Sequence, residues 1–371
     1  MTIFGTRPEI IRLSVIIKQL DKFCQQTLVY TGQNYDENLS EIFFRELGLR
    51  HPDLYLGVRE TSFADQAGQI LSRVDDTLGK VKPDRVLILG DTNSGLSAIV
   101  AARRGIQVFH LEAGNRCYDD RVPEEVNRRI IDHCSTVLMP YTQLSKDNLL
   151  KEGIEGERIF VIGNPIYEVL NTFGSQIQSS NILDSLKLAP QNYFAVTVHR
   201  EENVDNPQRL SELISGLGLI ASQYKQPIIV SLHPRTADKI QRFGLKVPSE
   251  AIRLLKPLGF FDFVALEKNA RCVITDSGTV QEECCIFGIP NVTIRDVTER
   301  PETVQCGSNI LSGAEPGVML SAVEIAVGSE KGWTPPPEYL EKYVSTTVTK
   351  IVLGFKSIKR HGFSLNQILN K

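Results

Sequence analysis

The chain lacks most of the features that mark a membrane, secreted, metal-binding or nucleic-acid protein. No apolar run approaches the roughly 20 residues that a bilayer span needs. The N-terminus opens on a strand-like run and a polar loop rather than on a secretory leader, so no membrane partner is expected. Across 371 residues, 41 Lys and Arg stand against 44 Asp and Glu, a net charge of −3. There is no basic field for nucleic acid, and any bound anion must be held by local groups. The seven cysteines (Cys24, Cys117, Cys134, Cys272, Cys284, Cys285, Cys306) are odd in number and form no C-x-x-C pair. That spacing offers neither a disulfide framework nor a zinc site; it points to reduced thiols in a cytoplasmic protein, with no metal expected. G-x-G-x-x-G and the Walker A sequence are both missing, so a nicotinamide site or a P-loop has little support.

What is present is the composition of a soluble enzyme, 42% hydrophobic and 23% charged. The length exceeds what one core ordinarily organises, which predicts two domains. Short apolar runs alternate with amphipathic segments. Strands are predicted at 1–4, 26–30, 85–89, 108–111, 136–140 and 159–161, and again at 193–198, 227–231, 252–254, 272–275 and 291–294. Helical patterns such as 8–23, 62–80, 207–223 and 280–287 lie between them. Strand–helix alternation implies parallel sheets covered by helices. It occurs twice, with a break near Gly163-Asn164-Pro165. The expected fold is α/β: two Rossmann-like, doubly wound parallel-sheet domains, 1–165 and 166–350, with the active site in the cleft between them. Loops that follow strands are where ligands meet such sheets.

Those loops carry the polar motifs. Gly5-Thr6-Arg7-Pro8-Glu9 follows the first strand and opens a helix. Either it is a capped turn with a surface arginine, or its N–H groups and Arg7 receive an anion, with Arg12 a turn and a half further on. Gly90-Asp91-Thr92-Asn93-Ser94 ends another strand, and Asp91 is a helix cap or a proton-transfer group. Glu112 closes the strand 108–111, a poor place for a buried carboxylate unless it is paired or used. Glu124 and Arg128 are spaced i, i+4 behind Pro123, as a surface ion pair would be. Three carboxylates from successive loops of one sheet nonetheless favour acid–base work. In the second half, His199 stands just past a strand end, either as a structural histidine or as a donor to a leaving phosphate. His233-Pro234-Arg235 reads first as a helix start. In Thr275-Asp276-Ser277-Gly278-Thr279, Ser277 could be a plain N-cap. Equally, its hydroxyl and the N–H groups of Gly278 and Thr279 could cradle a diphosphate at the positive end of a helix, with Glu283 accepting from sugar hydroxyls.

In this order and spacing, the segments 5–12, 31–34, 90–94, 110–128, 197–203, 276–283 and 295–302 resemble the non-hydrolysing UDP-N-acetylglucosamine 2-epimerases over nearly the whole chain. The resemblance implies two Rossmann-like domains in the GT-B arrangement with a UDP-sugar between them. It also implies a C-terminal segment, 351–371, that packs back on the first domain, a homodimer, and no cofactor. It implies UDP-binding roles for Arg7, Arg128, His199, Ser277, Gly278 and Glu283, a ring beside uracil from Phe263, and catalytic roles for Asp91, Glu112 and Glu124. The implied reaction removes the C2 proton, expels UDP across C1–C2, and re-adds UDP to the 2-acetamidoglucal after protonation on the other face. In surface-polysaccharide synthesis this interconverts UDP-GlcNAc and UDP-ManNAc. The chain departs from the family pattern in four places. Arg12 replaces a lysine, Thr279 replaces a glycine, Asn34 stands where a histidine is common, and Gly114-Asn115-Arg116-Cys117 is altered. The last stretch and 199–203 look closer to the branch that forms UDP-N-acetyl-L-fucosamine from its L-talo epimer. A GT-B glycosyltransferase, a hydrolysing epimerase and a non-catalytic sensor are the other readings.

Overall fold

Among the described residues, twelve short strands form two sheets. The computed structural model describes residues 1–32, 37–58, 62–329 and 332–356; Asn34 and 357–371 lie outside the described residues. The strands are β1 Thr2–Phe4, β2 Leu28–Tyr30, β3 Leu54–Tyr55, β4 Arg85–Leu89, β5 Gln107–Leu111, β6 Val137–Met139, β7 Phe194–Thr197, β8 Ile228–Ser231, β9 Ile252–Leu255, β10 Cys272–Thr275, β11 Asn291–Thr293 and β12 Asn309–Leu311. All pair in parallel, in the orders β3-β2-β1-β4-β5-β6 and β12-β11-β10-β7-β8-β9. Each sheet therefore has the doubly wound order 3-2-1-4-5-6, with its reversal between β1 and β4 in the first and between β7 and β10 in the second.

The sequence dictates this locally. Central strands such as Val86-Leu87-Ile88 and Cys272-Val273-Ile274 are apolar on both faces and fully buried, as parallel strands covered by helices must be. The helix Phe63–Val81 starts where the Ser62 hydroxyl accepts from the Asp65 N–H, and it buries Ala67, Ile70, Val74 and Leu78 along one face. These pack with Ile3, Val29, Ile88 and Val108 into the first core. The second core gathers Phe194, Val196, Leu213, Ile220, Ile274 and Val292.

The described residues divide into two compact units, Met1–Val169 with the segment from Glu341 onward, and Leu170–Leu340. Within the first unit, the helix Val344–Gly354 packs on the helix Arg7–Leu20. It is tied down by Ser345, whose hydroxyl donates to Glu168 Oε1 at 2.6 Å, and by Arg85, which donates to the carbonyls of Val352 and Phe355. One expectation fails in detail: residues 159–161 form one bridge from Ile159 to Leu138 and no strand. The short edge strands β3 and β12 were not predicted, since they carry too few residues to show a pattern. No described helix is long and apolar enough to cross a membrane.

Candidate active site

In the first unit the polar loops meet at the sheet reversal. β1 delivers Gly5-Thr6-Arg7 and β4 delivers Gly90-Asp91 beside it. The Gly5 and Thr6 N–H groups do not point to an open anion site. The Glu9 carboxylate accepts both, at 3.1 and 2.7 Å, along with the Thr6 hydroxyl at 2.7 Å. Burial pushes Glu9 up to about 7 against the pull of these donors. Arg7 makes no hydrogen bond or ion pair among the described residues. It is half-buried over the Phe43 ring, and burial lowers its pKa. An arginine so placed is a candidate anion receptor.

Asp91 does not cap a helix. Its Oδ2 accepts from Arg128 Nε at 2.8 Å and lies 2.7 Å from Nη2. Arg128, 2% exposed, also donates from Nη1 to Glu125 Oε2 at 2.6 Å. It is thus held between two carboxylates, one from the loop after β4 and one from its own helix. Glu125 in turn accepts the N–H groups of Cys117 and Tyr118, both at 3.1 Å. Burial raises its pKa, but these donors and Arg128 bring it net below the usual carboxylate range. Glu124, one residue earlier in the helix Pro123–Cys134, is half-exposed.

Glu112 is the most constrained of these groups. Its backbone is left-handed at φ +67°, costly for a side chain larger than glycine. Its carboxylate is 8% exposed. Arg12 Nη1 meets Oε2 at 2.5 Å, Asn115 Nδ2 donates to Oε1 at 3.1 Å, and the Tyr141 hydroxyl lies 3.5 Å from Oε2. Arg12 also sits over the Tyr141 ring, 5.7 Å from its centroid. The loop is anchored from below. His110 Nδ1 contacts Asp132 Oδ1 at 2.8 Å, and its Nε2 contacts the Gly90 carbonyl at 2.9 Å. Arg116 Nη2 reaches Asp132 Oδ2 at 2.8 Å and Glu152 Oε2 at 2.6 Å. Burial pushes Asp132 up, yet His110 and Arg116 hold it below its ordinary value. Gly114 has no room for a side chain: a Cβ there would lie 2.2 Å from the Ser145 carbonyl oxygen.

In the second unit the same position in the sheet gathers His199 after β7 and Asp276-Ser277-Gly278 after β10. Ser277 begins the helix Gly278–Phe287, but its hydroxyl makes no cap bond. The plain N-cap reading therefore does not hold. At Gly278 a Cβ would lie 2.9 Å from Glu299 Oε1. Glu299 is pinned there by Arg200 Nη2 at 3.1 Å and Arg295 Nη1 at 2.7 Å. Gly278 is buried while Thr279 is partly exposed. Glu283 is 3% exposed, beside Glu267. Burial, then the Glu283 charge, push the Glu267 carboxyl well up. Phe263, in the helix Phe260–Lys268, is half-buried. His233 caps its helix, its Nδ1 accepting from the Arg235 N–H at 3.2 Å.

Each unit thus brings together some of the expected residues: Asp91, Glu112, Arg12 and Arg128 in the first, and His199 with Ser277 and Gly278 in the second. Sequence reasoning passed over Glu9, Glu125, Asp132, Tyr141 and the part played by Asp276. For Asp276 a signal existed, since an aspartate directly after a buried strand run needs donors.

Comparison with known proteins shows the family. A family model described as UDP-N-acetylglucosamine 2-epimerase matches residues 18–353. The UDP-N-acetylglucosamine 2-epimerase of Methanocaldococcus jannaschii is 42% identical over 354 residues, 90% of this chain and 93% of that protein. The crystal structure of the M. jannaschii enzyme in complex with UDP-GlcNAc and UDP superposes with a TM-score of 0.91 at 39% identity, covering 95% of this chain and 99% of that one. The UDP-2,3-diacetamido-2,3-dideoxy-D-glucuronate 2-epimerase of Pseudomonas aeruginosa is 38% identical over 336 residues, 88% of this chain and 92% of that protein. The chain belongs to the UDP-N-acetylglucosamine 2-epimerase family.

Proposed function

We propose that the chain is a UDP-GlcNAc 2-epimerase of the non-hydrolysing kind, interconverting UDP-GlcNAc and UDP-ManNAc. The observation that carries the reading is Glu112: a buried carboxylate in a strained backbone conformation, held by Arg12, Asn115 and Tyr141 one strand from the reversal of a doubly wound sheet. Structures hold such strain where a group must be aimed. The C2 proton of the sugar has no adjacent carbonyl and is weakly acidic. Its removal needs a fixed base and a leaving group whose charge is met as it departs. Deprotonation at C2 and cleavage of the C1–O bond give 2-acetamidoglucal and UDP. Protonation of C2 from the opposite face, with return of UDP to C1, gives the epimer. Asp91, Glu112 and Glu124 serve as acid and base on the two faces. Arg7, Arg12, Arg128 and His199 meet the diphosphate with Ser277, Gly278 and Thr279. Glu283 accepts from ribose hydroxyls and Phe263 lies beside uracil. We read the enzyme as a cytoplasmic homodimer that serves surface-polysaccharide synthesis and needs no cofactor beyond its UDP-sugar. The absence of paired cysteine motifs supports the compartment, and sedimentation of the purified chain tests the dimer.

The decisive experiment is proton NMR of UDP-GlcNAc with the enzyme in deuterated water. Loss of the H2 signal with growth of UDP-ManNAc is expected. Release of free sugar would make it a hydrolysing enzyme. Exchange only with the L-talo or L-fuco nucleotide sugars, or with a UDP-2,3-diacetamido uronate, would move the substrate. No exchange with any of them overturns the reading.

A further inference from the structure

Asp276 is buried at the centre of the second unit's reversal and has no part in the reaction as written above. It lies beyond the last residue of β10, and His199 lies two residues beyond the end of β7, the neighbouring strand. The carboxylate is 0% exposed. Oδ2 accepts the N–H groups of His199 and Arg200, each at 2.9 Å, and the Asn203 amide at 3.1 Å. Oδ1 also accepts the His199 N–H, at 3.2 Å, and lies 3.1 Å from His199 Nδ1. A buried carboxylate survives only when its lone pairs are filled by donors, and here four of the five contacts are backbone or amide N–H groups that can do nothing but donate.

That filling constrains the fifth contact. An ionised carboxylate only accepts, so the imidazole must present a proton to it from Nδ1. Burial raises the pKa of Asp276, but the charge of His199 and the N–H donors bring it net far below the carboxylate range, so the acceptor state is the standing one. With Nδ1 facing the Asp276 carboxylate, Nε2 is the nitrogen left to take up or give a proton. The His199 side chain is 38% exposed, so the ring is not sealed behind Asp276. A negative charge fixed at Nδ1 also stabilises the ring when Nε2 carries a proton, the form that can donate to a phosphate oxygen.

We infer that Asp276 is the positioning residue of His199: it fixes the proton on Nδ1 and the orientation of the ring, so that Nε2 is the atom that donates to the departing diphosphate. This rests on the epimerase reading and on the place given to His199 in it.

Two measurements test it separately. The first is nitrogen NMR of the whole protein with labelled histidine, the His199 resonance being assigned by its loss in His199→Ala. Neutral His199 with its proton on Nδ1 in the wild type, moving to Nε2 or to a mixture in Asp276→Asn, is expected. A wild-type proton on Nε2 overturns the inference whether or not any variant folds. The second is a double-mutant cycle on epimerisation, with UDP affinity and thermal unfolding followed beside it. We expect His199→Ala to lower kcat on the order of 100-fold, in the range of single general acids. Asp276→Asn should cost on the order of 30-fold or more in the wild-type background but less than about threefold in His199→Ala, since it acts through the ring. Equal losses in both backgrounds would make Asp276 a structural anchor alone and overturn the inference. Full turnover in His199→Ala would remove His199 from the chemistry, and the inference with it. Absence of epimerisation by the wild type sinks the functional reading, while the NMR result still decides the pairing.

Discussion

Glu112 shows what a single residue in this fold carries. Its carboxylate is bonded to Arg12, 100 residues earlier in the chain, and no local spacing could have shown that partner. The residue itself was legible, because a glutamate closing an apolar strand has to be paired or used. Asp91 was legible in the same way, whereas Arg128 as its partner was not. The sequence suggested an i, i+4 pair of Arg128 with Glu124; the fold brings Arg128 to Asp91 and to Glu125 three residues before it, which spacing to Glu124 did not reveal. Asp91→Asn, Glu112→Gln and Glu124→Gln should each lower turnover by about 100-fold or more, as loss of an acid or base does, with UDP affinity by calorimetry within a few-fold of wild type. Turnover near wild type in all three would remove the carboxylates from the mechanism. Glycines separate packing from backbone strain at this scale. Gly114 and Gly105 both have positive φ, +79° and +72°, but a Cβ meets the Ser145 carbonyl oxygen at 2.2 Å in the first and nothing within 4 Å in the second. Gly105→Ala should cost only the left-handed penalty of about 1–2 kcal/mol. Gly114→Ala should cost several kcal/mol more, read from urea unfolding, and equal costs would mean that the loop yields.

At the level of elements, strand positions were readable wherever burial on both faces makes an unbroken apolar run. They were lost at the sheet edges, where Leu54 and Tyr55 are exposed. Helix starts were readable from their caps, yet caps with the same letters differ in what they do. Thr142 accepts from the Ser145 N–H at 3.2 Å, while the Ser277 hydroxyl makes no such bond. Thr142→Ala should therefore cost about 1 kcal/mol. Ser277→Ala should leave stability within about 0.5 kcal/mol of wild type while weakening UDP binding. The reverse pattern would restore Ser277 as an ordinary cap. The helix Arg7–Leu20 has a pH-sensitive start. Glu9 titrates near 7 when folded, against 4.5 ordinarily, because burial opposes its charge. Between those values the folded chain holds a proton that the unfolded chain has lost, so stability falls as pH rises from 4.5 through 7. Below 4.5 both states are protonated and the effect vanishes. Glu9→Gln cannot titrate, so its stability relative to wild type should improve by up to about 3 kcal/mol across that window. A constant difference from pH 4.5 to 8 would show that Glu9 titrates normally.

At the scale of the whole molecule, the chain leaves the first unit after Val169, builds Leu170–Leu340, and returns at Glu341. The alternation of strands and helices made both sheets legible, but the return came only from the family resemblance, which put it at 351–371, since Val344–Gly354 looks like any amphipathic helix until its partner is known. The consequence is an asymmetry in how pieces of the chain should fold. The second unit has its six strands and its core within one continuous segment, so 170–340 alone should give a cooperative α/β domain. The fragment 1–169 should not. It lacks Val344, Val348 and Val352, which are 1%, 0% and 5% exposed, and it leaves the face of Arg7–Leu20 uncovered. Burying three such side chains contributes on the order of 5 kcal/mol, comparable to the entire stability of a domain. The Ser345 hydroxyl lies 2.6 Å from Glu168, so the cut ends are close and a short glycine-rich linker can join Val169 to Glu341. Circular dichroism with urea titration of the three fragments should rank 1–169 as unfolded or aggregated, with the linked 1–169/341–371 chain restored to a cooperative transition. If 1–169 alone were as stable as the linked chain, the terminal helix would be an accessory to the first unit rather than part of its core.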